Sequence, residues 1–143
     1  MPVIIIDMYS GTPGAKTVDF GTKLLGQSDD TTDGVPAPFI IENTGTVVAS
    51  VINSTSNISL WVRAPSPSDK FQLMVNDSEP GSINLTGSAT SWTNVSLANV
   101  TVISALNYSK THDTARVDVK ITVPDDEPAG SKSVDITFYS TQT

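Results

Sequence analysis

Two stretches near the C-terminus alternate apolar and polar residues with a period of two. In Ala115-Arg116-Val117-Asp118-Val119-Lys120-Ile121-Thr122-Val123 the odd positions are apolar and the even ones polar or charged. In Ser133-Val134-Asp135-Ile136-Thr137-Phe138-Tyr139 the apolar residues fall at 134, 136 and 138. Successive strand side chains point to opposite faces, so each stretch predicts a strand with one buried and one wet face. Between them lies Pro124-Asp125-Asp126-Glu127-Pro128-Ala129-Gly130, rich in turn formers. The pattern predicts an antiparallel hairpin of the two strands.

The same reading predicts strands over 2–9, 17–20, 38–42, 47–53, 58–63, 71–75, 83–85 and 92–106, the last broken once. Clusters of Gly, Pro, Asp, Asn and Ser separate them at short intervals. No helical-length window carries the i, i+3, i+4, i+7 pattern of an amphipathic helix. Many short strands with regular punctuation imply an all-β fold, a single β-sandwich of Ig-like or jelly-roll-like form. A chain of 143 residues without internal repeats fits one such domain. Residues 1–14 read as an N-terminal strand and hinge, and 15–143 as the sandwich.

Composition narrows the chemistry. There is one His, no Cys and a net charge of −7. The missing Cys removes disulfides, thiolate metal sites and Cys nucleophiles. The acidic balance argues against nucleic acid, which needs a basic stripe, and against a polybasic lipid contact. No stretch approaches the ~20 apolar residues of a membrane span. The start of the chain lacks the basic region and cleavage site of a signal peptide, so for a secreted protein the numbering is expected to begin at a mature or recombinant N-terminus.

Seven of the eight asparagines, Asn53, Asn57, Asn76, Asn84, Asn94, Asn99 and Asn107, stand in Asn-X-Ser/Thr triplets, none with Pro in the middle. Ser and Thr number 18 each among 143 residues, so chance would give about two such triplets. The excess points to a chain selected to carry N-linked glycans, and hence to an extracellular or cell-surface location. The triplets stop short of the first 52 residues and the last 36.

Val18-Asp19-Phe20-Gly21, followed by Pro38-Phe39-Ile40-Ile41-Glu42-Asn43-Thr44-Gly45, resembles the opening of Ig-like domains in archaeal and bacterial surface proteins. Ile121-Thr122-Val123-Pro124-Asp125-Asp126-Glu127-Pro128-Ala129-Gly130 is similar to the closing hairpin of the same proteins. Asn43-Thr44-Gly45 is expected to supply a turn that tolerates positive φ. A single sandwich opening on an apolar strand resembles the subunits of TasA-like fibres, archaeal bundling pili and related threads. That resemblance implies donor-strand exchange, in which the N-terminal segment completes the sandwich of the next subunit.

The donor would be Val3-Ile4-Ile5-Ile6-Asp7-Met8, the most apolar run in the chain. Left in water it would be an aggregation hazard. It either pairs within its own sandwich or inserts into a neighbour, with Ser10–Gly14 as the hinge. Head-to-tail insertion that does not close generates a filament whose partner is the chain itself.

Other chemistry is thinner. Ser109, His112 and Asp113 are close in sequence, but a hydrolytic relay needs convergence in space with an oxyanion hole, so no catalytic residue is assigned and no enzyme is expected. Asp29, Asp30 and Asp33, and Asp125-Asp126-Glu127, are acidic loops in which calcium would be the fitting metal, although the EF-hand spacing is absent. No cofactor beyond glycans and that candidate calcium is implied. An adhesin or S-layer-associated domain contacting a cell surface or a sugar, and a virion coat or spike protein, stand as alternatives to the filament.

Overall fold

The computed structural model describes residues 2–55 and 59–143, without the side chain of Ser54. The alternating C-terminal pattern becomes two strands, but they lie in different sheets. Thr114–Thr122 forms β8, the spine of the larger sheet, with Ala115, Val117, Val119 and Ile121 all buried on its inner face. β5 (Phe71–Asp77) lies antiparallel on one side, pairing Phe71 with Ile121 and Val75 with Val117, and adds Phe71, Leu73 and Val75 to the same face. On the other side β3 (Phe39–Asn43) pairs with the first half of β8, and β2 (Ser28–Asp30) with its last residues. β1 (Ile6–Ser10) adds to the free side of β3, and the two-residue β6 (Thr93–Asn94) to that of β5.

The second sheet has three strands. β4 (Ala49–Thr55) is central, flanked by β7 (Val100–Leu106) and β9 (Ile136–Gln142), all antiparallel. A bulge between β4 and β7 shifts the register around Val51, and the neighbouring residues Val102 and Ile103 are both buried. Side chains of the two inner faces interdigitate into one apolar core that includes Ile41, Val51, Leu73, Ile103 and Leu106, as in sheet-on-sheet packing. The protein is therefore an all-β, two-sheet sandwich. Among the described residues there is no helix, and so none long and apolar enough to cross a membrane.

The predicted hairpin is thus corrected: β8 pairs with β2, β3 and β5, while β9 pairs with β4. Alternation fixes which face of a strand is buried, and it is silent about the neighbour; the polar loop after β8 crosses between the sheets. Three other predicted strands, over 17–20, 83–85 and the described part of 58–63, are irregular, with Ile58 outside the described residues. β2, a polar edge strand, had no apolar signal to find. The polar face of β8 is also not wet. Thr31 sits over it, donating its hydroxyl to Asp118 (2.7 Å) and accepting from Val119 N, while Arg116 chelates Asp118 and bonds the carbonyls of Thr31 and Thr32. Asp118 is only 4% exposed because these donors replace its water.

Asn43-Thr44-Gly45 serves a different purpose from the one its sequence suggests. Gly45 is not among the residues with positive φ. Buried Asn43 donates its amide to Val47 O (2.9 Å) and to Leu106 O on β7 (3.0 Å), and accepts from Gly45 N. It ties the two sheets together at one end of the sandwich. Gly45 is required by close approach: a Cβ there would collide with the backbone of Val3 and Ile5.

Candidate functional site

A sandwich has two lateral seams, and here they differ. On the side of β5 and β7, residues 82–95 lace the sheets together. Ala89 accepts from Val75 N of β5 (2.8 Å) and donates to Val102 O of β7 (2.9 Å). Asn84 N and Asn107 N close further bonds between this segment and β7, and Val95 N bonds Phe71 O. Ile83 and Val95 are buried beneath it.

The opposite seam is open. β1 and residues 16–25 form one bank, and β9 with residues 128–135 the other. Between them runs a groove of about 1350 Å³ with Phe39, Phe71, Val119 and Ile121 of the large sheet on its floor and Trp61, Val134 and Ile136 on its walls. No backbone–backbone hydrogen bond joins residues 16–23 to 128–137. Along Thr17–Phe20 exposure alternates, with Val18 and Phe20 packed against the core and Thr17 and Asp19 in solvent. This segment has the side-chain pattern of a strand without a strand partner. On the far bank Val134, Ile136 and Phe138 point inward yet are only half-buried.

Glu127 holds the far bank in place. Its carboxylate accepts from Val62 N (3.0 Å) and Arg63 N (2.8 Å) and meets Lys132 Nζ at 2.8 Å, with the carboxylate side chain 2% exposed. Burial pushes the Glu127 carboxyl up, but Lys132 and the two N–H donors outweigh it and leave the group below its ordinary value.

β1 forms the edge of the near bank. Ile6 and Met8 pack partly against the core, so in this structure the apolar N-terminal strand pairs with its own β3. The residues before it are less well housed. Val3, Ile4 and Ile5 are 37%, 39% and 49% exposed, held by bonds from Thr44 N to Ile5 O and from Thr46 N to Val3 O.

The acceptor triplets map onto the other side. Asn76, Asn84, Asn94 and Asn99 are exposed and Asn107 half-buried, all on β5, β6, β7 or the segments that close that seam. Asn53 departs from the expectation of a glycosylated surface. It points into the core between β7 and β9, 1% exposed, with its Nδ2 unbonded, so the folded protein leaves a glycan no room there. Asn57 lies outside the described residues.

The remaining candidates do not converge on a site. Asp29 pairs with Lys23 (3.1 Å), Asp30 accepts from Thr32, and Asp33 accepts from Val35 N. The Thr32 hydroxyl, against some burial, holds the Asp30 carboxyl below its ordinary value. These three carboxylates share a shallow depression with the Lys120 ammonium, and no group of three metal-ligating side chains occurs among the described residues. His112 Nδ1 lies 2.6 Å from Pro80 O. Buried Asp113 faces Glu42 and Glu79, and burial followed by those two charges pushes its carboxyl up. Glu79 is held low, chiefly by the Thr114 hydroxyl.

Sequence reasoning marked the apolar N-terminus but missed the groove, the Glu127 clamp and the role of Gly45. The one available signal was Thr17–Phe20, an alternating segment. No family model, curated protein or solved structure matches the chain.

Proposed function

We propose that the protein is a structural subunit of an extracellular, N-glycosylated filament, pilus- or thread-like, that polymerises when the N-terminal apolar strand of one copy enters the open seam of the next. The supporting observation is a mismatch within one molecule. The first residues of its most apolar run, Val3–Ile5, stand more than a third in water at one end of the seam, and an unfilled apolar groove lies at the other. Neither can satisfy the other without leaving the molecule, so the complement is a second copy. Among the described residues, the exposed acceptor asparagines lie on the other side. A head-to-tail contact of this kind does not close on itself and grows into a thread.

Electron microscopy of the protein purified from its native source tests the reading. Regular threads one subunit wide are expected. Isolated particles would favour an adhesin or S-layer-associated domain, and closed shells a coat protein; either would overturn the filament.

A further inference from the structure

Strand order and register place the two ends of the open seam. β1 runs from Ile6, level with Asn43, to Ser10, level with Phe39, so Val3–Ile5 extend beyond β3 beside Thr44–Thr46. The groove is at the other end: it reaches Met8 and Phe39 at the end of β1 and the start of β3, and continues past Ile121 and Val123. The exposed tail therefore leaves from the end of the molecule opposite to the one where the groove opens.

Resting on the filament reading, we infer that only the tail Pro2–Ile5 is transferred between copies, while β1 stays on its own β3. The tail seats between two unpaired walls, Thr17–Phe20 on one side and residues 131–135 on the other. Three observations lead here. First, β1 is joined to β3 through five register pairs and contributes Ile6 and Met8 to the core, so its departure would uncover the whole β3 edge. The tail is held by three bonds to Thr44 and Thr46 and leaves Val3, Ile4 and Ile5 more than a third exposed. Second, exposure alternates residue by residue along both walls and neither has a strand partner, so each can pair with a strand at about 4.8 Å. Third, the groove suits an uncharged segment of polypeptide. At about 1350 Å³ it exceeds the roughly 300–1,000 Å³ of small-molecule pockets. Its buried charge, Glu127, is already paired with Lys132, and Pro2–Ile5 carries none.

Two disulfide locks separate tail transfer from whole-strand exchange, and the native chain has no Cys to interfere. Val3→Cys with Thr46→Cys joins the tail to its own body at a hydrogen-bonded pair. Asp7→Cys with Glu42→Cys joins β1 to β3 at register partners. Oxidised, the first lock is expected to leave the protein monomeric by sedimentation, with threads restored by reductant; the second is expected to form threads at the wild-type rate. Block by both locks means that β1 itself is exchanged, and block by neither means that the tail is not the joint; each overturns the inference while leaving threads in the reduced proteins. The seat is read by mixing chains carrying Ile4→Cys with chains carrying Val134→Cys. A mixed disulfide dimer is expected at least tenfold above that formed with Asn76→Cys on the closed seam, and equal yields would overturn it. A wild-type chain that never assembles sinks the filament reading and this inference together.

Discussion

The two seams of this sandwich solve the same physical problem by different means. Every sandwich must cover the apolar edges where its sheets diverge and must satisfy the backbone groups there. At the β5–β7 seam the chain does both, because residues 82–95 return hydrogen bonds to each sheet and press Ile83 and Val95 into the core. At the β1–β9 seam the side chains turn inward, but the backbones of the two banks never meet. Among the described residues, the closed seam is complete within one chain and carries the exposed acceptor asparagines, and none of them lines the open one.

The difference should appear first in stability. Ile83→Ala removes a buried side chain from the closed seam and is expected to cost about 3 kcal/mol. Phe20→Ala removes a larger side chain from the open seam, but one only partly buried, and is expected to cost about 1 kcal/mol in the monomer. Urea midpoints of the two variants compare them directly. Assembly should reverse the ranking, since Phe20 lines the groove and Ile83 lies far from it. Equal losses of stability would mean that the open seam is as well packed as the closed one.

This contrast explains what the sequence could and could not reveal. β3, β4, β5, β7, β8 and β9 each carry at least one apolar residue every second position over part of their length, which is a local signal and therefore legible. Seam closure is not local. Whether Ile83 pairs with a strand or crosses a gap depends on where β5 and β7 end, so 83–85 looks like a strand and instead is an irregular run bonded to β7, in a segment that reaches β5 further on, at Ala89 and Val95. The link from β8 to β9 misled for the same reason, because a turn-rich loop can reverse a chain within a sheet or carry it to the facing one. Asn53 was read as a surface residue from its triplet, yet its parity in β4 matches Val51 and directs it inward. Thr17–Phe20 shows the limit from the other side: its alternation is legible, but the chain's own fold gives it no strand partner.

The far bank of the open seam depends on one carboxylate, so its integrity should depend on pH. The Glu127 carboxyl titrates below its ordinary value in the folded protein, which means that ionised Glu127 stabilises the fold. That contribution is fully present above the unfolded value of about 4.3 and is lost as pH falls through the lower folded value. Glu127→Gln keeps the shape but weakens the bonds to Val62, Arg63 and Lys132, and is expected to cost about 2 kcal/mol at pH 7. The difference between variant and wild type should shrink below pH 4, measured as thermal midpoints across pH 2–7. A difference that stays constant on acidification would show that the carboxylate charge is not what anchors the bank.

The smallest effect on stability should accompany the largest effect on assembly. Asp135 is exposed on the far bank, and Ile136 and Thr137 follow it. Asp135→Asn therefore completes an acceptor triplet beside the groove, which no acceptor asparagine lines among the described residues. An exposed Asp-to-Asn change should alter stability by no more than about 0.5 kcal/mol. Expressed without glycosylation, the variant should assemble like the wild type. Expressed with it, a glycan at position 135 would stand at the mouth of the groove, and threads should be lost while the melting curve stays unchanged. A control triplet change on the closed seam, Asn84→Gln, should affect neither property, because Asn84 is exposed and its backbone bond to Ser104 survives. Threads that form normally from a variant verified to be glycosylated at position 135 would show that the open seam is not where the copies meet.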